Sequence, residues 1–350
     1  MAFGKFQRLS RRSLITLGLE VSNILNKLKT LRPSSRAGFI FTMHHVRPHD
    51  DSQSFQPNAH LEITPEFLSQ TIELLIHEGF DFIRLRDLPD HLGHSRSQRP
   101  FAIFTLDDGY SNNRDIALPI FERYQVPATI YVTPAFAERT AIIWWELLAK
   151  LIAQEDEIAF DFGYGIELYP TQTLEDKISF FDLFCKSLWS SDEINCTEQL
   201  EILSRQYGID PLALTKALTL SKSELSELSR HPLIDLGAHG QNHLSIGRLP
   251  DHLAAQEITQ SVTWLEDLTG KRPQSFAFPY GNAQAAGPRD FKLVQDLGLD
   301  LALTTRAGMI RTDRVTDLSA LPRVSLNGYY QKSRYVAALA SGIPFRWGNQ

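Results

Sequence analysis

Short apolar runs ending in polar residues alternate along this chain with stretches whose apolar positions recur at helical spacing. Residues 39–43, 80–85, 101–106 and 128–132 read as strands, with helices over 65–77, started by Thr64 and Pro65, and over 116–124. The alternation resumes with strands at 233–238, 275–278, 299–304 and 323–326 and with helices at 253–268 and 290–297. Repeated strand and helix in this order is the signature of a parallel sheet with helical crossovers. Residues 144–231 break the rhythm: 145–152, 174–188, 198–207 and 223–229 are helix-like, separated by Gly and Pro, and read as a mainly helical insertion. The paired Trp144 and Trp145 at its root are expected in the core, with stacking on a sugar ring as the other reading.

At the N-terminus, Leu14, Leu17, Val21, Ile24, Leu25, Leu28 and Leu31 keep helical spacing and predict an amphipathic helix. Lys5, Arg8, Arg11, Arg12, Lys27, Lys29, Arg32 and Arg36 face only Glu20 in this segment, so its ends are basic. Such a helix either packs on the main domain or lies on an anionic membrane surface. Ser10-Arg11-Arg12-Ser13 superficially resembles a twin-arginine export signal, but Glu20, Asn23, Asn26 and Lys27 interrupt the apolar stretch before any small-residue cleavage site. A cytoplasmic, at most membrane-peripheral, location is expected, with export left open.

Composition narrows the function classes. With 350 residues, 43% hydrophobic and 22% charged, the chain is globular and large enough to bury a substantial core. A net charge of -6 disfavours nucleic acid as the main ligand. A mean hydropathy of -0.20 and the lack of a long uncharged apolar run disfavour a membrane-spanning helix. Cys185 and Cys196 show no metal-ligand spacing and are expected as reduced thiols. Residues 94–100 look like an ordinary solvated loop.

Reactive side chains cluster where strands end. His44 and His45 follow the first strand, Asp107 and Asp108 the strand at 101–106, His239 and His243 the strand at 233–238, and Pro279-Tyr280-Gly281 the strand at 275–278. In a barrel of parallel strands all these ends converge on one face, where such folds build active sites. Successive residues leaving a strand point in different directions, so one of the two carboxylates can bind a metal while its neighbour faces substrate or water. Two imidazoles four residues apart can reach one ion if the segment between them forms a helical turn. Two histidines with a carboxylate suit Zn²⁺ first, and Co²⁺, Mn²⁺ or Fe²⁺ as well.

Phe104-Thr105-Leu106-Asp107-Asp108-Gly109-Tyr110, His239-Gly240-Gln241-Asn242-His243 and Phe276-Ala277-Phe278-Pro279-Tyr280-Gly281 together resemble the motifs of the polysaccharide deacetylases, the NodB-homology group of carbohydrate esterase family four. The three occur in the family's order, and the resemblance spans residues 39–326. It implies a distorted (β/α) barrel of seven strands and metal-dependent removal of N-acetyl groups from amino sugars. It further implies Asp108, His239 and His243 as metal ligands and Asp107 as the general base.

The family usually takes its catalytic acid from a late Leu-x-His motif, and no histidine follows His252 here. Thr42-Met43-His44-His45-Val46 instead fits the circularly permuted branch, which resembles the poly-N-acetylglucosamine deacetylases, with His44 as the acid and His45 as the neighbour to be told apart from it. Gly240 stands where the family commonly has Ser or Thr. The arginine often found in the third motif is missing, and Arg323 is either its replacement or a surface cation. The backbone N–H of Tyr280 is expected to hold the oxyanion with the metal.

The expected substrate is an N-acetylated amino-sugar glycan or glycolipid. The competing readings are an amidohydrolase of the same fold acting on a small cyclic imide or ureide, an inactive carbohydrate-binding relative, and an iron oxygenase. Because the site residues are spread from His44 to Tyr280, residues 37–350 read as a single barrel that carries the insertion, preceded by the basic helix of residues 1–36.

Overall fold

The computed structural model describes residues 2–27, 37–50, 52–94, 99–311 and 316–345. Among them, nine strands form the main sheet: β1 (Ala37–Met43), β2 (Asp81–Phe82), β3 (Phe101–Leu106), β4 (Ala128–Val132), β5 (Ile234–Ala238), β6 (Ser275–Ala277), β7 (Leu301–Leu303), β8 (Ile310–Arg311) and β9 (Val324–Ser325). Parallel pairing runs β7, β6, β5, β4, β3, β1. The last segment closes the ring. Leu321 bridges Leu303 of β7, and β9 pairs in parallel with β1. This is the distorted seven-stranded α/β barrel expected from the sequence, with β2 and the antiparallel β8 as short additions.

Register decides where the chemistry collects. Met43 lies opposite Leu106, Val132 opposite Ala238, Ala238 opposite Phe276, and Ala277 opposite Leu303. The residues that follow β1, β3, β5 and β6 therefore emerge from one rim of the barrel. Phe39, Phe41, Phe104, Ile130, Phe276 and Phe278 are fully buried in the main core. The helices Pro65–His77 and Asp251–Thr269 cover the sheet with their apolar faces.

Several expectations need correction. The run 80–85 is strand only at Asp81–Phe82 and then turns into a 3₁₀ segment, because Leu85 and Leu88 dive into a satellite core. The insertion is not only helical: Glu157–Asp161 and Ile166–Pro170 form an antiparallel hairpin, and Pro211–Leu218 is a further helix. Trp144 and Trp145 are buried in the insertion's own core, together with Leu147, Phe184 and Leu200. Among the described residues neither cysteine is in a disulfide.

The N-terminal helix spans Ala2–Lys27, and the expected apolar positions Leu28 and Leu31 lie outside the described residues, as do Lys29, Arg32, Arg36 and residues 95–98 of the loop. The helix docks on Ser333–Ala340 by Leu19 and by Glu20, which binds Arg334 and Tyr335. Its periodic stripe points the other way: Leu14, Leu17, Val21 and Ile24 are exposed. No helix among the described residues is long and apolar enough to cross a membrane.

Candidate active site

Asp107 and Asp108 leave β3 as buried neighbours with different partners. Asp108 takes a left-handed backbone, φ 72°, followed by Gly109 at φ 66°, a conformation that costs a non-glycine residue on the order of 1–3 kcal/mol and is held at sites where geometry matters. The turn aims its carboxylate at two imidazoles. Oδ1 lies 3.5 Å from His239 Nε2 and 3.3 Å from His243 Nε2. These are ion-pair distances, and both buried oxygens of Asp108 lack a hydrogen-bond partner. Burial alone would raise the Asp108 pKa, but the two histidines pull it well below the usual carboxylate range.

His239 is held by its other nitrogen. Nδ1 donates to the Ala277 carbonyl at 2.7 Å, which leaves the Nε2 lone pair facing Asp108. His243 reaches the same point by an unexpected route. Residues 239–243 do not form a helical turn: they form an irregular bend with φ 75° at Gly240 and 60° at His243. The cause is Glu257, buried on the helix Asp251–Thr269. Its carboxylate accepts from the Asn242 backbone N–H at 2.9 Å and from Asn242 Nδ2 at 2.6 Å, and its carbonyl accepts from Gln241 N–H at 3.1 Å. A Cβ on Gly240 would stand 3.4 Å from both Glu257 Oε2 and Pro279 Cγ, so the bend is tightly packed. One ligand atom from each of Asp108, His239 and His243 falls within 4.8 Å of the others. A buried carboxylate with orphaned oxygens, facing two preset imidazole nitrogens, fits a divalent cation.

Asp107 belongs to a different partner. Arg323, whose side chain is fully buried, grips it with two prongs, Nη1 to Oδ1 at 2.7 Å and Nη2 to Oδ2 at 2.8 Å. The guanidinium is itself fixed by the Thr304 carbonyl at 2.9 Å and Thr105 Oγ1 at 3.3 Å. Burial raises the pKa of Asp107, yet Arg323, joined by His239 and His44, outweighs it and the net direction is downward. Arg323 is thus a core residue and not a surface cation.

The two neighbouring histidines part company. His44 Nε2 lies 3.9 Å from Asp107 Oδ2, and its side chain is 21% exposed, so it faces both the carboxylate and the open rim. Burial lowers its pKa, partly offset by the two aspartates. His45 is fully buried over the Tyr110 ring, with centroids 3.5 Å apart. The Asn112 carbonyl oxygen accepts from Val46 N–H, so the Asn112 amide nitrogen is the donor to His45 Nδ1 at 2.9 Å. The His45 proton then sits on Nε2, which points away toward Glu146 at 3.9 Å. Burial pushes Glu146 up to about 7.

Tyr280 and Gly281 form another left-handed pair, φ 60° and 59°, and a Cβ at Gly281 would stand 2.6 Å from Thr305 N. Among the described residues the Tyr280 backbone N–H has no hydrogen-bond acceptor. Its ring packs 5.0 Å from that of His243. The seven expected site residues thus meet at one rim. Sequence reasoning missed Glu257, although a carboxylate set among Ala254, Ile258, Ser261 and Val262 on the buried face of a helix was a readable signal. It also missed Glu146 and Glu193, which carry no local signal. A cavity of about 870 Å³ lies at the opposite strand ends, lined by Arg84, Thr129, Asp235 and Ser275. It holds none of these side chains.

Comparison with known proteins agrees with the geometry. Among solved structures, IcaB from Ammonifex degensii superposes with a TM-score of 0.55 at 16% identity, covering 87% of this chain and 97% of that one. The Streptococcus pyogenes deacetylase PplD, in complex with acetate, gives 0.54 at 15% identity, with coverage of 83% and 93%. A polysaccharide deacetylase from Bacillus cereus gives 0.54 at 14%, with coverage of 87% and 69%. These likenesses establish the fold. No curated protein matches the sequence. The model of the family described as polysaccharide deacetylase matches residues 94–161 and 197–302, which include Asp107, Asp108, His239, His243 and Tyr280. The chain belongs to the polysaccharide deacetylase family, hydrolases that remove acetyl groups from glycans by cleaving carbon–nitrogen bonds other than peptide bonds.

Proposed function

We propose that this protein is a metal-dependent deacetylase of a glycan containing N-acetylhexosamine, releasing acetate and leaving a free amino sugar. The observation that carries the reading is the division of labour between adjacent carboxylates: Asp108 faces His239 and His243, while Asp107 is gripped by Arg323 beside His44. Asp108, His239 and His243 would hold the cation, with Zn²⁺ the best match to two imidazoles and a carboxylate and Co²⁺, Mn²⁺ or Fe²⁺ as alternatives. Once bound, a cation of this kind lowers the pKa of a coordinated water and polarises an acetamide carbonyl.

The chain's own groups do the rest. Asp107, kept ionised by Arg323, takes the proton of the attacking water as the general base. The Tyr280 N–H, fixed at the end of β6, donates to the oxygen on which negative charge develops. His44 delivers a proton to the departing nitrogen, because an unprotonated amide nitrogen is a very poor leaving group. Acetate, which is bound to one of the structural neighbours, is the product expected here.

The test is a panel. Acetate release is measured on N-acetylglucosamine polymers, peptidoglycan fragments and lipid-linked N-acetyl amino sugars. The reading expects release from at least one class, with a matching amount of free amine. Protein with its metal bound that releases acetate from none of them contradicts it.

A further inference from the structure

Besides aromatic rings, the helical insertion brings a carboxylate, Glu193, to the loops of the site. Glu193 opens the helix Glu193–Gln206, whose start is set by Asp192 capping the N–H groups of Ile194 and Asn195. The Glu193 side chain is 7% exposed. Its Oε1 accepts from the Tyr280 hydroxyl at 2.6 Å, and its Oε2 accepts from the Ser245 backbone N–H at 3.0 Å. Ser245 is two residues past His243, and Tyr280 closes the loop after β6. One carboxylate therefore ties together the two loops that carry a candidate metal ligand and the candidate oxyanion donor.

The surroundings make this a built contact. Trp144 Nε1, at the root of the insertion, donates to the Tyr280 hydroxyl at 2.8 Å. Trp189 packs edge-on against the Tyr280 ring, with centroids 5.1 Å apart. Arg248, just beyond Ser245, lies over the Trp189 ring, donates to the Ser191 carbonyl, and stands 3.9 Å from Glu193 Oε2.

We propose that Glu193 is a positioning residue of the active site, through which the insertion sets the separation between the His243 and Tyr280 loops. The proposal rests on the deacetylase reading of the same site. Glu193 reaches neither Asp107 nor Asp108; it acts through Tyr280 and Ser245. Both loops contain non-glycine residues in the left-handed region, a conformation that persists only where surrounding contacts over-determine it, and Glu193 supplies two of those contacts.

The experiment compares Glu193→Ala, Glu193→Gln and Tyr280→Phe with Leu200→Ala, a change in the insertion's own core, all in the full chain. Three quantities are read: kcat and KM for acetate release from an N-acetylglucosamine tetramer, affinity for Co²⁺ followed by its visible absorption, and Tm. Glu193→Ala is expected to lower kcat about tenfold or more and to weaken Co²⁺ binding about tenfold, the usual scale for a group that orients metal ligands. KM should change less than about threefold. Glu193→Gln, which keeps an acceptor oxygen, recovers part of both losses.

Tyr280→Phe lowers kcat without opening a cavity, and its effect combines with that of Glu193→Gln less than additively. It keeps the question decidable should Glu193→Ala not fold. Leu200→Ala lowers Tm and leaves kcat and Co²⁺ affinity of the folded protein unchanged. Glu193 variants that behave like Leu200→Ala, losing Tm alone, overturn the proposal. If the wild type releases acetate from no member of the substrate panel, the deacetylase reading falls, and the Co²⁺ affinities still decide whether Glu193 positions the site.

Discussion

Two adjacent aspartates share a strand end and almost nothing else. Asp107 continues the strand and meets a buried guanidinium, whereas the left-handed turn at Asp108 sends its carboxylate toward two imidazoles. Arg323 does more than neutralise. Burial alone would raise the Asp107 pKa, and a base must be ionised to accept a proton, so the arginine extends function toward acid pH. Arg323→Lys keeps the charge but loses the two-pronged grip. The acid limb of the pH profile of kcat/KM should then move to higher pH, and an unmoved limb would count against Asp107 as the base.

The histidine pair gives a second residue-level prediction. His44→Gln should lower kcat by about 10²-fold or more. His45→Gln should leave kcat within a few-fold while lowering stability by about 1–3 kcal/mol, read by denaturant unfolding. The reverse pattern would exchange their roles. Sequence reasoning could place both residues after β1, but the Asn112 contact that sets the His45 tautomer is long-range and invisible to it.

At the level of elements, hydrophobic periodicity revealed the alternation of strands and helices and the strand ends that carry the site, because burial on both faces makes parallel strands read as apolar runs. It failed where burial is absent or supplied from afar. The strand Ile166–Pro170 is mostly exposed, and its partner Glu157–Asp161 buries only Ile158 and Phe160, so the apolar pattern is too short to mark the hairpin. In the N-terminal helix the period was legible and the buried face was not, since its anchors Arg334 and Tyr335 come from the other end of the chain.

The bend at 239–243 belongs to the same class. The spacing would let both imidazoles meet through a helical turn, whereas Glu257 ties the backbone into a bend. Removing that tie should be felt at the metal and not at the base. Glu257→Ala is expected to weaken Zn²⁺ binding about tenfold, measured by competition with a chromogenic chelator, and unchanged affinity would show that the bend holds itself.

For the whole molecule, closure of the barrel is what makes the site. Segment 321–325 bridges β7 to β1 and so brings Arg323 to Asp107, 216 positions away in the chain, while β1 brings His44 to the same carboxylate. Motif reading found these residues separately; only the closed ring shows that Arg323 is buried beside Asp107.

The central claim is that a cation held by Asp108, His239 and His243 works together with a base that does not hold it. The most direct test adds Zn²⁺ back to chelator-treated protein and follows the rate of acetate release, for wild type and Asp107→Asn side by side. The account predicts a silent wild-type apoprotein whose activity returns and saturates at one equivalent. Asp107→Asn should bind the same equivalent and remain slower by about 10²-fold or more. Full turnover by chelated wild-type protein, or wild-type turnover by Asp107→Asn, would contradict it.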